Sequence, residues 1–210
     1  MDLIAHRGLT DNYIKENTIE AFLNAVKANY SGIELDVRKT KDNKIVCLHD
    51  KFINRTSNGK GNINNLTYNE LLKYNFGSKK RKSKIPLLLD VIKNINNKTI
   101  IIELKEKIET DELEKILNKN DSNDYYICSF NSKYIDNIRN IKYKKGIINY
   151  IFNSGLNIKK YNFILILEDF FSEDIYNYLN KLDIEPIIYN VSKNLKIKNN
   201  KITDNLKYIL

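Results

Sequence analysis

The residues with the clearest chemical potential are two carboxylates in the stretch Ile33-Glu34-Leu35-Asp36-Val37. If this stretch is a β-strand, Glu34 and Asp36 point to the same side, because side chains alternate along a strand. Two neighbouring carboxylates that face an interior repel each other and need a cation to neutralise them. The spacing therefore indicates a cation site on one face of this strand.

Reactive side chains also follow three other short apolar runs. They are His6-Arg7-Gly8 after residues 3–5, His49 after residues 44–48, and Glu103 with Lys105 at the end of residues 99–104. The chain has two histidines, and each ends one of these runs. A lone histidine is more often a surface or core residue than a catalytic one, so the shared position of these groups is what indicates a site.

The carboxylates of Glu34, Asp36 and Glu103 form a set of hard oxygen ligands. Such a set suits Mg²⁺, Ca²⁺ or Mn²⁺ and disfavours zinc. We therefore expect one divalent metal ion, with magnesium or calcium as the candidates. For Glu103 the alternative is a structural ion pair with Lys105, which would leave the other two carboxylates unexplained.

Arg7 and Lys105 add positive charge at the same strand ends. Arginine offers a bidentate fork to a phosphate, and lysine acts as a point charge. Two histidines can then split a phosphodiester, because one imidazole accepts a proton from the nucleophile while the other donates one to the leaving alkoxide. The combination favours phosphodiester cleavage with His6 and His49 as the acid and base.

These groups must be brought together by the strands that carry them. The apolar and β-branched runs predict eight strands, at residues 3–5, 33–37, 44–48, 99–104, 125–130, 145–151, 163–167 and 186–191. Helices or helix-like connections alternate with them, which predicts parallel βα units and, on closure, a (β/α)8 TIM barrel of the α/β class. Such barrels place their chemistry at the carboxyl ends of the strands. The alternative is an open, doubly wound sheet.

Residues 51–85 differ from this framework. They contain the turn-rich Asn58-Gly59-Lys60-Gly61, a short helix after Thr67 and the basic run Lys79-Lys80-Arg81-Lys82, and Pro86 is expected to start the next helix. We interpret them as a small insertion after the third strand of a single domain spanning residues 1–210. The basic run is interpreted as a solvated surface, with steering of an anionic substrate as the alternative.

The composition limits the class of protein. The net charge is +9, but the lysines are scattered and no finger, helix-turn-helix or aromatic-interleaved basic motif occurs, so no nucleic-acid partner is expected. No run approaches the roughly 18 apolar residues of a membrane span, and signal-peptide features are lacking, so the expected compartment is the cytoplasm. Cys47 and Cys128 are expected to be buried free thiols, with Cys47 inside the barrel because it alternates with His49.

The succession of motifs resembles the glycerophosphodiester phosphodiesterase family. The matching segments are His6-Arg7-Gly8, Glu16-Asn17-Thr18-Ile19-Glu20-Ala21-Phe22, Gly32-Ile33-Glu34-Leu35-Asp36-Val37, Val46-Cys47-Leu48-His49-Asp50, Asn54-Arg55-Thr56-Ser57-Asn58-Gly59-Lys60-Gly61, Leu66-Thr67, Ile85-Pro86, Glu103-Leu104-Lys105, Ser129-Phe130 and Ile202-Thr203-Asp204. They span most of the chain and are densest from residue 5 to residue 105.

This resemblance implies a TIM barrel with a small insertion. It also implies metal-dependent cleavage of a small-molecule glycerophosphodiester to sn-glycerol 3-phosphate and an alcohol, commonly with an adjacent substrate hydroxyl as the nucleophile. The implied roles are acid and base for His6 and His49, metal ligands for Glu34, Asp36 and Glu103, and phosphate binding for Arg7 and Lys105.

Other motif residues have two interpretations. Phe130 ends the fifth predicted strand and is either a wall of the substrate site or a core residue. Glu16-Asn17-Thr18 is mainly a helix start, with Glu16 orienting Arg7 as the alternative. The last strand departs from the family, which usually has a Trp-Thr-Val-Asn-like sequence where this chain reads Tyr189-Asn190-Val191-Ser192. Residues 192–201 leave room only for a shortened eighth helix.

Three other functions are compatible with parts of the pattern. A phospholipase D-like or sphingomyelinase D-like enzyme could use the same barrel, although such enzymes usually lack the insertion and tend to carry disulfides. A non-catalytic protein could bind a phospholipid headgroup, but binding alone does not need two proton-transfer groups. A basic nucleic-acid binder would show salt-dependent binding to generic DNA or RNA.

Overall fold

The computed structural model describes residues 2–139, 142–151, 157–191 and 207–209. Its strands are β1 (Asp2–His6), β2 (Gly32–Lys39), β3 (Ile45–Cys47), β4 (Thr99–Leu104), β5 (Asp124–Ser129), β6 (Lys144–Ile148), β7 (Phe163–Leu167), β8 (Glu185–Tyr189) and β9 (Lys207–Ile209). Its α-helices are α1 (Ile19–Lys27), α2 (Tyr68–Leu71), α3 (Leu88–Asn94), α4 (Thr110–Leu117), α5 (Ser132–Asp136) and α6 (Glu173–Lys181). Single 3₁₀ turns lie at Ile63–Asn65 and Glu168–Phe170. The predicted short eighth helix, Ser192 and the motif at residues 202–204 lie outside the described residues.

Strand β1 closes the sheet into a barrel. It pairs in parallel with β2 on one side and with β9 on the other. The ring continues from β9 through β8, β7, β6, β5 and β4 back to β2, and each of these pairings is parallel. The predicted (β/α)8 barrel is confirmed, and the open doubly wound sheet is wrong.

Two strands lie at different positions in the sheet from those predicted. β3, predicted as the third barrel strand, pairs antiparallel with β2 and lies outside the ring. Only residues 40–44 separate the two strands, and a parallel neighbour needs a crossover of roughly a dozen residues, so the chain can only fold back as a hairpin. β8, predicted as the eighth barrel strand, is the seventh, because β9 completes the ring.

Side-chain alternation sorts the apolar residues of the barrel into two layers. The inward layer consists of Ile4, Ile101, Tyr126, Cys128, Ile148, Phe163, Leu165, Ile187 and Ile209. Outward residues such as Ile33 and Leu35 pack against the helices in a larger cluster. Both cysteines are buried and free, as predicted. Cys47 belongs to the outer cluster, so its predicted place inside the barrel is wrong, because β3 is not a barrel strand.

Local sequence sets where the helices begin. Thr18 is the N-cap of α1, where its side chain accepts a hydrogen bond from the backbone N–H of Ala21. α3 begins at Leu88 and not at Pro86. The reason is that Leu87 keeps an extended conformation while the Pro86 carbonyl accepts a hydrogen bond from the backbone of β3.

The segment between β3 and α3 has a small apolar cluster of its own. Its members are Val46, Leu48, Ile53, Ile63, Leu71, Phe76 and Ile85. Helix α2 in this segment follows Thr67, as predicted, and a capping box joins Thr67 to Glu70. Lys79 and Arg81 are exposed. Among the helices of the described ranges, none combines the length and apolar character needed to cross a bilayer.

Candidate active site

Strand register sets the centre of the site. His6 lies opposite Glu34 in the pairing of β1 with β2, and Asp36 lies opposite Glu103 in the pairing of β2 with β4. These positions alternate with the outward apolar residues, so the side chains point into the barrel at the carboxyl ends of the strands. The three carboxylates are buried, and each offers an oxygen within 4.8 Å of the others.

Burial and mutual repulsion control the charge of these carboxylates. Burial, followed by the carboxylates of Asp36 and Glu103, raises the pKa of Glu34 well above its usual range. Burial and Asp36 raise the pKa of Glu103 to about 7. Burial would also raise the pKa of Asp36, but Lys105 and Arg7 bring it below its usual value. Negative charge is therefore in excess at this position, as expected where a cation binds.

Lys105 lies between two of the carboxylates. Its Nζ is 3.1 Å from Asp36 Oδ1 and 2.5 Å from Glu103 Oε1. The ion pair considered as an alternative role for Glu103 therefore exists. It leaves Glu34 unexplained, because the contacts of that carboxylate are the Arg7 backbone N–H at 3.0 Å and the His6 imidazole at 3.8 Å.

The turn after β1 places Arg7 against the carboxylates of Glu34 and Asp36. Arg7 has a φ of 56°, a left-handed conformation that is uncommon outside glycine. This conformation directs its backbone N–H to Glu34, while its side-chain Nε lies 3.0 Å from Asp36 Oδ2. Gly8, with a φ of 82°, backs directly onto α1, where a Cβ would lie 2.6 Å from the Ala21 carbonyl carbon. Only a glycine lets this turn pack so closely against the helix.

The donor set fits a divalent cation. Carboxylate oxygens are the ligands that hard cations prefer. The three carboxylates face two basic side chains, Arg7 and Lys105. Asp36 Oδ1 is within ion-pair distance of Lys105 but lacks a hydrogen bond of good geometry, although it is buried. Glu34, Asp36 and Glu103 could therefore hold one divalent ion, which would balance the remaining negative charge.

Tyr189 packs directly against His6. The Tyr189 hydroxyl lies 3.0 Å from His6 Nε2, and the rings meet edge to face with their centroids 5.0 Å apart. Burial, followed by Arg7, lowers the pKa of His6 to about 4, so the imidazole is neutral at pH 7. Burial, followed by Tyr150, raises the pKa of Tyr189, so the phenol stays protonated. A neutral imidazole in this position can accept a proton.

The hairpin of β2 and β3 returns the chain to the barrel mouth and brings His49 there. The Leu48 backbone N–H donates to the Asp36 carbonyl at 3.0 Å. His49 Nδ1 lies 2.6 Å from Asp50 Oδ1. His49 follows Leu48 and therefore lies beside the carboxyl end of β2, the end at which His6 lies opposite Glu34.

Arg55 links the His49 loop to the β1 turn. Its Nε and Nη2 donate to Asp50 Oδ2 and Oδ1 at 2.6 and 3.1 Å. Its Nη1 and Nη2 donate to Glu16 Oε2 and Oε1 at 2.9 and 2.7 Å. Glu16 Oε1 also accepts from Arg7 Nη1 at 3.0 Å, which favours the interpretation that Glu16 orients Arg7 while Thr18 provides the helix cap. The hydrogen bonds from Arg55 hold the pKa of Asp50 far below its usual range.

Three aromatic rings line one side of the mouth. Phe130 follows β5, Tyr150 follows β6 and Tyr189 ends β8. The Phe130 and Tyr150 rings meet edge to face at 4.8 Å, and the Tyr150 and Tyr189 rings stack at 5.1 Å. Phe130 is 50% exposed and its ring centroid lies 5.9 Å from Lys105 Nζ. Phe130 therefore belongs to the mouth of the barrel and not to its core.

The sequence alone did not predict the contacts of four residues in the site, namely Asn17, Arg55, Tyr150 and Tyr189. Asn17 and Arg55 lie in motifs that resemble the family. That resemblance was the signal that could have indicated a role for their polar side chains. Asn17 is buried and has a φ of 54°. Its Nδ2 donates to Asp36 Oδ2 at 2.8 Å, and its Oδ1 accepts from the Asp36 backbone N–H at 3.2 Å. Asn17 thus fixes the orientation of Asp36.

Replacing Asn17 with alanine is expected to lower the free energy of unfolding by about 2–4 kcal/mol, measured by urea denaturation in EDTA. Two buried polar groups of Asp36 each lose a hydrogen bond, and alanine is strained at a φ of 54°. Asn17→Gly is the matched control, because it loses the same hydrogen bonds without the strain. It should be more stable than Asn17→Ala by roughly 1 kcal/mol. An alanine variant as stable as the parent chain would contradict the prediction.

Comparison with known proteins assigns the family. A model of the glycerophosphoryl diester phosphodiesterase family matches residues 6–155, which include every residue of the site described above except Tyr189. The glycerophosphodiester phosphodiesterase of Caldanaerobacter subterraneus subsp. tengcongensis is 39% identical over 109 residues, covering 50% of this chain and 44% of that protein. The enzyme of that name from Bacillus altitudinis is 40% identical over 113 residues, covering 50% and 46%. The chain thus spans less than half the length of these relatives.

Solved structures share the barrel over nearly the whole chain. The glycerophosphodiester phosphodiesterase of Thermotoga maritima is 25% identical with a TM-score of 0.79, covering 99% of this chain and 92% of that one. A phosphodiesterase of Oleispira antarctica, solved with the product sn-glycerol-3-phosphate, is 21% identical with a TM-score of 0.82, covering 91% and 85%. This second similarity concerns the fold alone. With the family model matching more than half of its residues, the chain belongs to the glycerophosphoryl diester phosphodiesterase family.

Proposed function

We propose that this chain is a metal-dependent phosphodiesterase that hydrolyses glycerophosphodiesters to sn-glycerol 3-phosphate and an alcohol. The observation that carries the proposal is that two imidazoles lie at the same end of the barrel as three buried carboxylates. A protein that only bound a headgroup would need complementary charge but no pair of proton-transfer groups. Membership of the family supports the same reaction class.

The metal ligands in this proposal are Glu34, Asp36 and Glu103, with Mg²⁺ or Ca²⁺ as the ion. A bound ion would supply electrostatic stabilisation of the negative charge that develops on the phosphoryl oxygens. Asn17 forms hydrogen bonds with both the side chain and the backbone of Asp36. This ligand therefore keeps its orientation whether or not the substrate is present.

Arg7 and Lys105 are the proposed phosphate-binding residues. An ammonium group has three N–H donors, and Lys105 Nζ lies 3.1 Å from Asp36 Oδ1 and 2.5 Å from Glu103 Oε1. A guanidinium has five N–H donors; Arg7 donates from Nη1 to Glu16, and its Nε lies within ion-pair distance of Asp36. Each side chain therefore keeps N–H groups for the phosphoryl oxygens while its charge stays fixed in place by carboxylates.

His6 and His49 are the proposed proton-transfer groups. One imidazole takes the proton of the attacking hydroxyl as its oxygen bonds to phosphorus. The other gives a proton to the oxygen of the leaving alcohol as the P–O bond breaks, which leaves a cyclic phosphodiester when the attacking group is the adjacent glycerol hydroxyl. Water then attacks phosphorus with the two imidazoles in exchanged roles, and the P–O bond to that hydroxyl oxygen breaks to give sn-glycerol 3-phosphate. Phe130, with Tyr150 and Tyr189, offers an apolar wall to the carbon atoms of the substrate.

Release of glycerol 3-phosphate from glycerophosphocholine and glycerophosphoethanolamine tests the proposal. We expect EDTA to stop the release and added Mg²⁺ or Ca²⁺ to restore it, because without the ion the carboxylates repel the negative charge that develops on the phosphoryl oxygens. Bis(p-nitrophenyl) phosphate, which lacks glycerol, is the control substrate and should react more slowly. The absence of product from both glycerophosphodiesters with every ion tested would contradict the proposed function.

A further inference from the structure

We propose that Arg55 is a positioning residue that holds His49 through Asp50 and Arg7 through Glu16. The inference rests on the proposed function, because it concerns the arrangement of that same site. Arg55 lies in the segment between β3 and α3, 39 residues from Glu16 in the sequence. It would make this segment part of the catalytic apparatus without touching the substrate.

The argument begins with the geometry of the guanidinium. Its nitrogens make four hydrogen bonds of 2.6–3.1 Å, two to Asp50 and two to Glu16. A planar fork that engages a carboxylate along each of two edges fixes both the distance and the angle between them. Arg55 therefore sets the position of the His49 loop relative to the loop that precedes α1.

Asp50 transmits this constraint to His49. An ionised carboxylate can only accept hydrogen bonds, so the 2.6 Å contact requires the proton on His49 Nδ1. A fixed Nδ1–H leaves Nε2 as the atom that exchanges protons with the substrate. Without Arg55, Asp50 loses two donors that hold its carboxylate plane, and the imidazole can turn with it.

Glu16 transmits the constraint to Arg7. Its Oε1 accepts from both Arg7 Nη1 and Arg55 Nη2, so the carboxylate lies between two guanidinium groups. Anchored from the far side by Arg55, Glu16 holds Arg7 in the orientation that also contacts Asp36. The guanidinium of Arg7 then keeps one orientation.

The effect on stability should be small. Arg55 is 48% exposed, and solvent screens ion pairs at such positions, so they contribute little to the free energy of unfolding. Loss of positioning acts on turnover instead, because small displacements of a proton-transfer group reduce the rate of reaction strongly. The two consequences can be measured separately.

Kinetics of Arg55→Met, Arg55→Lys and Arg81→Met on glycerophosphocholine form the first part of the test. We expect Arg55→Met to lower kcat by about 10–100-fold with an unchanged thermal unfolding midpoint. Arg55→Lys keeps the charge but not the fork and should fall between Arg55→Met and the parent chain. Arg81→Met is the matched control on an exposed arginine of the same segment and should retain the parent kcat. A parent-like kcat in Arg55→Met would overturn the proposal.

The second part does not depend on activity. Labelling with [¹⁵N]histidine gives two imidazoles to observe by NMR, since the chain has two histidines. We expect a single Nδ1–H tautomer for His49 in the parent chain, averaging of tautomers in Arg55→Met, and an unchanged His6. If the protein proved inactive on every substrate, this readout would still test the positioning role. If Arg55→Met did not fold, Arg55→Lys would decide it, and an unaltered His49 spectrum there would refute it.

Discussion

Replacing Glu34 with glutamine is expected to remove divalent-cation binding and to lower turnover by about a thousandfold or more, since several kcal/mol of electrostatic stabilisation depend on the ion. Glutamine keeps the shape of the side chain, so the Arg7 backbone N–H retains an oxygen acceptor. Removal of the charge also relieves repulsion from Asp36 and Glu103, the neighbours that raise the pKa of Glu34. The metal-free variant should therefore be at least as stable as the metal-free parent chain.

Cation-induced stabilisation measures this effect independently of turnover. An ion that binds only the folded chain raises the unfolding midpoint, and titration with Mg²⁺, Ca²⁺ and Mn²⁺ should raise it in the parent chain but not in Glu34→Gln. Glu109→Gln is the matched control, because Glu109 is an exposed carboxylate paired with Lys107 away from the site. A rise of the midpoint in Glu34→Gln equal to that of Glu109→Gln would refute the metal site.

Removal of either histidine is expected to lower kcat by about 10²–10⁴-fold, the usual contribution of a positioned acid or base. His49→Ala leaves Asp50 paired with Arg55, and His6→Ala removes an imidazole that packs edge to face on Tyr189. Neither loss exposes the barrel core, so both variants should unfold at a midpoint close to that of the parent chain. Full turnover in either variant would disprove its role in proton transfer.

The choice of leaving group separates the acid from the base. A glycerophosphodiester of p-nitrophenol needs little protonation of its leaving oxygen, so loss of the general acid should matter much less on this substrate. Loss of the general base should reduce turnover on both substrates equally, because the attacking hydroxyl still has to lose its proton. We therefore expect the p-nitrophenyl substrate to restore most of the lost turnover in one histidine variant and not in the other. Equal losses for both variants on both substrates would contradict the division of roles.

Residue types and alternation were sufficient to find the centre of the site. Glu34 and Asp36 had to share a face because they are two residues apart on a strand. Glu103 could be associated with them because it ends another apolar run, and register places it beside Asp36. The position of His49 was correct for a different reason than expected. It reaches the mouth because an antiparallel hairpin brings the chain back, and not because its strand belongs to the barrel.

The sequence by itself determined the fold class, the cluster of carboxylates and the two cations beside it, because alternation, β-branching and side-chain chemistry act between near neighbours. Only the tertiary structure decided which remote groups meet. In the tertiary structure β9 closes the ring, Asn17 forms hydrogen bonds with Asp36, and Arg55 links Asp50 to Glu16. These contacts depend on loop closure and on the register between distant strands, and a local pattern carries no record of either.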